Sequence, residues 1–135
     1  MPLHMIKLVV GCDTVEDLLA WRRVERAGQP WRLHTRQTPK RAAELTDGGS
    51  IYRVFRGVIL CRQRILEVET LGEGVTARCE LLLDEDVVLV APTPRRAFQG
   101  WRYLEARDAP PDLDQAADGD IPPELARQLR EAGAW

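Results

Sequence analysis

Two arginines at alternate positions of one apolar run are the residues of this sequence best suited to binding an anion. Arg62 and Arg64 share parity with several apolar residues of the run 58–71, so a β-strand would carry both guanidiniums on one side, about 7 Å apart. A planar guanidinium donates two parallel hydrogen bonds to a phosphate. Together with Arg53 and Arg56, this spacing predicts an anion-binding surface. The alternative is that carboxylates of nearby strands pair with these bases, namely Glu67, Glu69 and Glu80.

The segment RRAFQGWRYL, residues 95–104, places aromatic side chains among arginines. Single-stranded nucleic acid is commonly held by rings that stack on bases, beside cations that contact the phosphates. The segment therefore predicts a nucleic-acid contact made by Arg95, Arg96, Phe98, Gln99, Trp101 and Arg102. The alternative is that Trp101 and Tyr103 face the core from one side of a strand, which leaves Phe98 as the better exposed platform.

The turn DGGSIYR is a second candidate anion contact. Gly48 and Gly49 leave two successive backbone N–H groups available, and Ser50 is the single serine of the chain. Such a turn can cradle an anion, although an ordinary connection between elements fits the same residues. Neither the Walker nor the Rossmann glycine pattern is present.

Residues for catalysis and for metal binding are few. Ser50 lacks the GxSxG setting of a nucleophile, and His34 and Glu67 are the remaining acid–base candidates. The three cysteines lie far apart and form no CxxC pair, which indicates neither a zinc site nor a disulfide framework. The sequence therefore predicts no catalytic set, no metal and no cofactor.

An alternation of strands and helices must position these residues. Hydrophobic periodicity and turn residues predict strands at 5–10, 31–35, 51–55, 58–71, 75–83, 87–90 and 101–104, and helices at 14–28 and 39–45. A tight turn at Arg56-Gly57 joins two of the strands. The order predicts an α+β fold, a small and mostly antiparallel β-barrel with two or three short helices.

Charge divides the chain of 135 residues into two parts. The net charge of −2 combines residues 1–107, with 17 basic and 14 acidic side chains, and residues 108–135, with 2 and 7. We therefore predict a single basic, arginine-rich domain at 1–107, followed by an acidic Pro/Asp-rich tail at 108–135 that contains a short C-terminal helix. A near-neutral total does not exclude a polyanionic partner of the basic part.

No secretory or membrane segment is indicated. The apolar run that ends before Gly11 is too short for a signal peptide, and no window reaches the roughly 20 apolar residues of a spanning helix. The sequence predicts a cytoplasmic protein with reduced thiols and no membrane partner.

Three blocks of the sequence resemble a known family. Residues 5–21, 39–69 and 94–104 look like the alphaproteobacterial domain-of-unknown-function family 1489, with residues 114–135 outside the resemblance. That family carries no established activity. The resemblance implies a cytoplasmic, single-domain bacterial protein and no particular function.

A second resemblance concerns the fold. A short helix, a glycine turn, a strand and G-V-I-L leading into a long strand are similar to PUA-like barrels of the ASCH and EVE type. Those folds bind RNA or modified bases in a cleft between the barrel and its helices, and some ASCH proteins are amidohydrolases that use a Lys after this turn. Ser50 stands at that position, a departure that favours binding over catalysis.

The leading hypothesis is a non-catalytic module that binds RNA or a nucleotide through an arginine-rich cleft. One alternative is a small enzyme that acts on an anionic metabolite or a modified nucleoside. Another is a protein-interaction adaptor, whose acidic tail docks on a basic partner or on the chain's own arginines.

Overall fold

The structure, a computed structural model, describes residues 2–26, 28–96, 98 and 100–113. Within them, apolar and β-branched runs form seven strands, and two segments form α-helices. The strands are β1 (His4–Leu8), β2 (Trp31–Thr35), β3 (Ser50–Phe55), β4 (Val58–Leu71), β5 (Arg78–Leu83), β6 (Val88–Pro94) and β7 (Trp101–Leu104), and the helices are α1 (Val15–Arg26) and α2 (Ala42–Thr46).

The strands make one mixed sheet in the order β2-β5-β4-β3-β1-β7, with β6 paired to β4. β1 and β3 are parallel, whereas the remaining pairs are antiparallel. The 14-residue strand β4 organises the sheet, because its first half pairs with both β3 and β6 and its second half pairs with β5. The predicted α+β class is therefore confirmed.

The predicted closed barrel is not confirmed. The sheet path ends at β2 and β7, and the described residues contain no pairing between these two strands. A barrel needs every strand edge to be paired. The two end strands are linked here by a side chain instead, since Nε1 of Trp101 donates to the carbonyl oxygen of Gln37 at 3.2 Å.

Each face of the sheet carries its own core. One face, with Met5, Ile51 and Phe55, packs against Val15 and Leu18 of α1. The other face carries a smaller cluster of Ile6, Tyr52, Val54, Ile59, Val90 and Leu104. Adjacent residues of β1 and β3 thus point into different cores, as the pleat requires.

Helix α1 begins where its capping residues predict. The hydroxyl Oγ1 of Thr14 accepts from the backbone N–H of Asp17 at 3.0 Å, which satisfies a donor of the first turn. Arg22 lies on the buried stripe of the helix, where it stacks over Trp31 and pairs with Glu85.

Several predicted elements have other bounds in the structure: β1 ends at Leu8 and not at residue 10, α2 begins at Ala42 and not at residue 39, and β6 continues to Pro94 and not only to residue 90. β5 begins at Arg78, because Gly74–Thr76 form a 3₁₀ turn that leaves Val75 exposed. Residues 111–113 of the predicted tail lie along β6, where the N–H of Ala91 donates to Pro111 and the N–H of Leu113 donates to Leu89, both at 2.8 Å. The predicted C-terminal helix falls outside the described residues. Over the part of the chain that is described, no helix has the length and apolarity to cross a membrane.

Gly49 should be intolerant of any side chain. A Cβ there would lie 2.2 Å from the carbonyl oxygen of Leu3 and 2.4 Å from that of Leu45, and backbone atoms cannot move aside cheaply. We expect Gly49→Ala to lower the free energy of unfolding by about 3 kcal/mol or more in urea denaturation. The control Gly74→Ala meets no atom within 4 Å and should cost about 1 kcal/mol, from its positive φ alone. Equal losses in the two variants would contradict the close packing at Gly49.

Candidate anion-binding cleft

Arg53 is a buried arginine with no carboxylate partner among the described residues. Its side chain is in the core-facing row of β3, with 5% of its surface exposed. Nη1 donates to Oε1 of the fully buried Gln63 at 2.8 Å, whereas Nε has no hydrogen-bond partner. Arg22, the other buried arginine among the described residues, pairs with Glu85 at 2.5 Å. Burial lowers the pKa of Arg53, yet a guanidinium stays protonated in proteins.

Lys7 places a second cation beside Arg53. The parallel register of β1 and β3 puts Lys7 directly opposite Arg53, and the β1–β7 register puts Trp101 on its other side. Neither cation forms an ion pair within the described residues. Like charges opposite one another destabilise a sheet. Burial, and then the charge of Arg53, lower the pKa of Lys7.

A cavity of about 450 Å³ opens over these cations, and we call it the Arg53 cleft. Its walls come from the loop after β1, from α1 and from β2. The residues of these walls include Lys7, Val10, Cys12, Trp21, Arg32 and Arg53.

A second cavity of about 430 Å³, the Trp101 cavity, lies between β2 and β7. It occupies the place where a closed barrel would pair these two strands. The two cavities share Lys7 and His34. The Trp101 cavity is also lined by Arg36, Gln37, Trp101 and Arg102.

Two wall residues of the cleft, Arg32 and His34, share one acidic partner. Glu80 binds Arg32 at 2.5 Å and His34 at 2.9 Å. Its hydrogen bond from His34, and then that from Arg32, lower the pKa of Glu80. The inner pair of Lys7 and Arg53 is thus left as the uncompensated charge of the site.

Cys12 is not an activated nucleophile. Burial, and then the negative charge of Asp17, raise the pKa of its thiol. Cys61, next to Arg53 in the β3–β4 register, is also held as a thiol, because burial raises its pKa to about 12. The cleft therefore offers cations and apolar walls rather than a thiolate.

Arg62 and Arg64 lie on the opposite face from Arg53. Arg62 is opposite Tyr52, and Arg64 is opposite Ser50. Nε and Nη2 of Arg62 donate to the two carboxylate oxygens of Asp112 at 2.7 and 2.8 Å. Arg62 is thus paired with a carboxylate, which was the alternative to anion binding. The carboxylate is that of Asp112, which sequence reasoning did not name. Arg64 is exposed.

The glycine turn uses its donors within the protein. The N–H of Gly49 donates to the carbonyl oxygen of Leu45 at 3.0 Å, and the N–H of Ser50 donates to Nδ1 of His4 at 2.9 Å. The Ser50 hydroxyl accepts from Nη1 of Arg62 at 3.0 Å. These bonds fasten β3 to β1 and β4, and Gly48 stands at the exposed tip with φ of 90°.

Part of the 95–104 segment lines the Trp101 cavity. The residues that do so are Trp101 and Arg102. The guanidiniums of Arg95 and Arg102 lie 6.0 and 5.7 Å from the Phe98 ring, so this ring is flanked by cations. Arg96 is exposed, Arg56 lies in the predicted two-residue turn with φ of 50°, and Gln99 falls outside the described residues.

Sequence reasoning missed residues of the Arg53 cleft. Lys7 and Trp21 were not candidates, although a signal for the site existed. Arg53 alternates with Ile51 and Phe55, so it belongs to the buried row of its strand. A cation in such a row indicates either a buried ion pair or a ligand site.

No catalytic arrangement appears in the described part of the chain. The contacts of Ser50 are to His4 and Arg62, whereas His34 contacts Glu80, and Glu67 is exposed on β4. Over the same residues, no group of three or more His, Cys, Asp or Glu could hold a metal ion.

Comparison with known proteins gives one match. A family model described as a protein of unknown function (DUF1489) matches residues 5–135. The predicted resemblance is confirmed, and the expectation that residues 114–135 lie outside it was wrong, since the match reaches the last residue. Neither the curated proteins nor the solved structures contain a match. The resemblance to PUA-like folds stays a prediction.

His4 should make stability depend on pH. Burial, and then the charge of Arg62, lower its pKa from the ordinary value of 6.5. The unfolded chain then binds a proton that the folded chain does not, so stability is full above that value and falls as pH drops toward the folded pKa. His4→Asn keeps an acceptor for the Ser50 N–H without titrating. Urea unfolding between about pH 7.5 and 5.5 should lose less stability in this variant, and an equally steep loss would contradict a neutral buried His4.

Proposed function

Since the chain belongs to the DUF1489 family, whose description names no activity, we propose a function from the chemistry of its cleft: it binds the phosphate of a nucleotide unit, carried by single-stranded RNA or by a free nucleotide. Lys7 and Arg53 hold the phosphate. Arg36 and Arg102, which line the Trp101 cavity, supply the surrounding positive potential. The protein acts as a binding module rather than as an enzyme.

The burial of Arg53 without a carboxylate carries this proposal. Removing an ion from water costs several kcal/mol unless an opposite charge and hydrogen bonds compensate it. Arg22 receives that compensation from Glu85, whereas Arg53 donates one hydrogen bond to the uncharged Gln63. A ligand anion at Arg53 would supply the missing compensation.

The neighbouring groups favour phosphate as that anion. A guanidinium and an ammonium side by side present several donors to a small, multiply oxygenated anion. The cleft walls add the apolar and aromatic surface of Val10 and Trp21, which a nucleoside would cover. A volume of about 450 Å³ falls in the range of small-molecule sites.

Arg53→Gln should weaken binding, whereas a matched substitution on the opposite face of the sheet should leave the affinity unchanged. We expect about 10- to 100-fold loss of affinity, because hydrogen bonds to a charged group contribute about 1.5–3 kcal/mol. The matched control is Arg64→Gln, an exposed arginine on the other side of the sheet, which should change affinity less than about twofold. The measurement is fluorescence anisotropy of a labelled single-stranded RNA of about ten nucleotides, with AMP as competitor.

The two arms of that experiment separate the sources of the phosphate. If RNA is the ligand, log K should fall with log salt, and Arg53→Gln should reduce the slope by about 0.7. If a free nucleotide is the ligand, AMP should displace RNA completely and bind with similar affinity. Equal effects of Arg53→Gln and Arg64→Gln, or no binding of either probe, would contradict the proposed function.

A further inference from the structure

The cleft and the Trp101 cavity adjoin at the same cation. Lys7 lines both, and it lies in one cross-strand row between Arg53 on β3 and Trp101 on β7. Neighbouring strands are about 4.8 Å apart. A phosphate held at Lys7 therefore has a separate compartment on each side, and each compartment exceeds the roughly 300 Å³ that bounds small-molecule sites from below.

The Arg53 cleft has an exposed aromatic wall. Trp21 of α1 lines it with 44% of its surface exposed, and Val10, 89% exposed, stands at its rim. Large apolar side chains that share one concave, exposed site mark ligand or partner contacts more often than isolated ones do. An indole at this place offers a flat surface to a base.

The Trp101 cavity has an aromatic wall that is held in place. The Trp101 indole donates to Gln37 at 3.2 Å and contacts Tyr103 edge-on, with ring centroids 5.0 Å apart. Tyr103 is itself tied, because its hydroxyl accepts from the backbone N–H of Arg41 at 3.1 Å. A ring fixed in this way stacks on a base without losing side-chain freedom on binding.

We propose that the site takes two consecutive nucleotide units of a single strand. The phosphodiester that links them lies at Lys7 and Arg53, one base enters the Arg53 cleft against Trp21, and the other enters the Trp101 cavity against Trp101. This inference rests on the proposed function and specifies its ligand as a dinucleotide step of single-stranded nucleic acid. A mononucleotide fills one compartment and leaves the other aromatic wall uncovered.

The flanking cations fit this arrangement. Arg32 lines the first compartment, and Arg36 and Arg102 line the second. Of these, Arg36 and Arg102 would meet the next phosphate of a longer strand, since Arg32 is paired with Glu80. Extending the strand beyond two units should therefore add salt-sensitive contacts without a further stacking platform.

The test compares ligands of equal phosphate charge. The dinucleotide ApA and the methyl ester of AMP each carry one phosphodiester, so a difference in their affinity reports the second nucleoside. Isothermal titration should show ApA binding about fivefold tighter or more, because a stacked base adds at least that factor. Trp21→Leu and Trp101→Leu should each bring ApA close to the methyl ester, whereas Trp101→Phe should retain most of the preference.

The outcomes separate this inference from the proposed function. If ApA and the methyl ester bind equally and Arg53→Gln weakens both, the phosphate site stands and the two-unit ligand is wrong. If ApA is preferred but neither leucine variant reduces the preference, the assignment of the bases to the two tryptophans is wrong. If neither ligand binds, the proposed function fails and this inference fails with it.

Discussion

A buried guanidinium that no carboxylate of the described residues neutralises is the constraint on which the rest of this structure depends. Arg53 is 5% exposed and lies opposite Lys7, so two positive charges share the core-facing side of adjacent strands. Desolvation and repulsion both act against this arrangement. Elsewhere the same chain neutralises such groups, as Asp112 does for Arg62 and Glu85 for Arg22. Among the described residues, the buried unpaired charge is thus confined to Arg53 and its cleft.

The open edge of the sheet between β2 and β7 determines what lies beside Lys7 and Arg53. A closed barrel would bury the β2 and β7 edges against each other, whereas the observed gap leaves the Trp101 cavity beside Lys7. The parallel pairing of β1 with β3 needs a crossover connection, which here contains α1 and brings Trp21 to the cleft. Topology, rather than any short motif, assembles the site.

Local sequence signals predicted the strands and helices, but they did not predict how the strands pair. The Thr14 cap, the Arg56 turn and the α+β class follow from residues close in sequence. Parity along β4 singled out Arg62 and Arg64, but register shifts near Cys61 and after Ile65 interrupt the alternation. The position of a bulge depends on the partner strand. The residue that lies beside a cation in a sheet depends on the partner strand as well. Lys7 could not be placed beside Arg53 without the β1–β3 register.

The Nε–H group of Arg53 can be observed by nuclear magnetic resonance. Among the described residues this group has no acceptor, whereas the Nε–H of Arg62 already donates to Asp112. Titration of ¹⁵N-labelled protein with ApA should shift the Arg53 Nε–H resonance strongly and leave that of Arg62 in place. A saturating titration in which the Arg53 resonance does not move would contradict its role as the phosphate receptor.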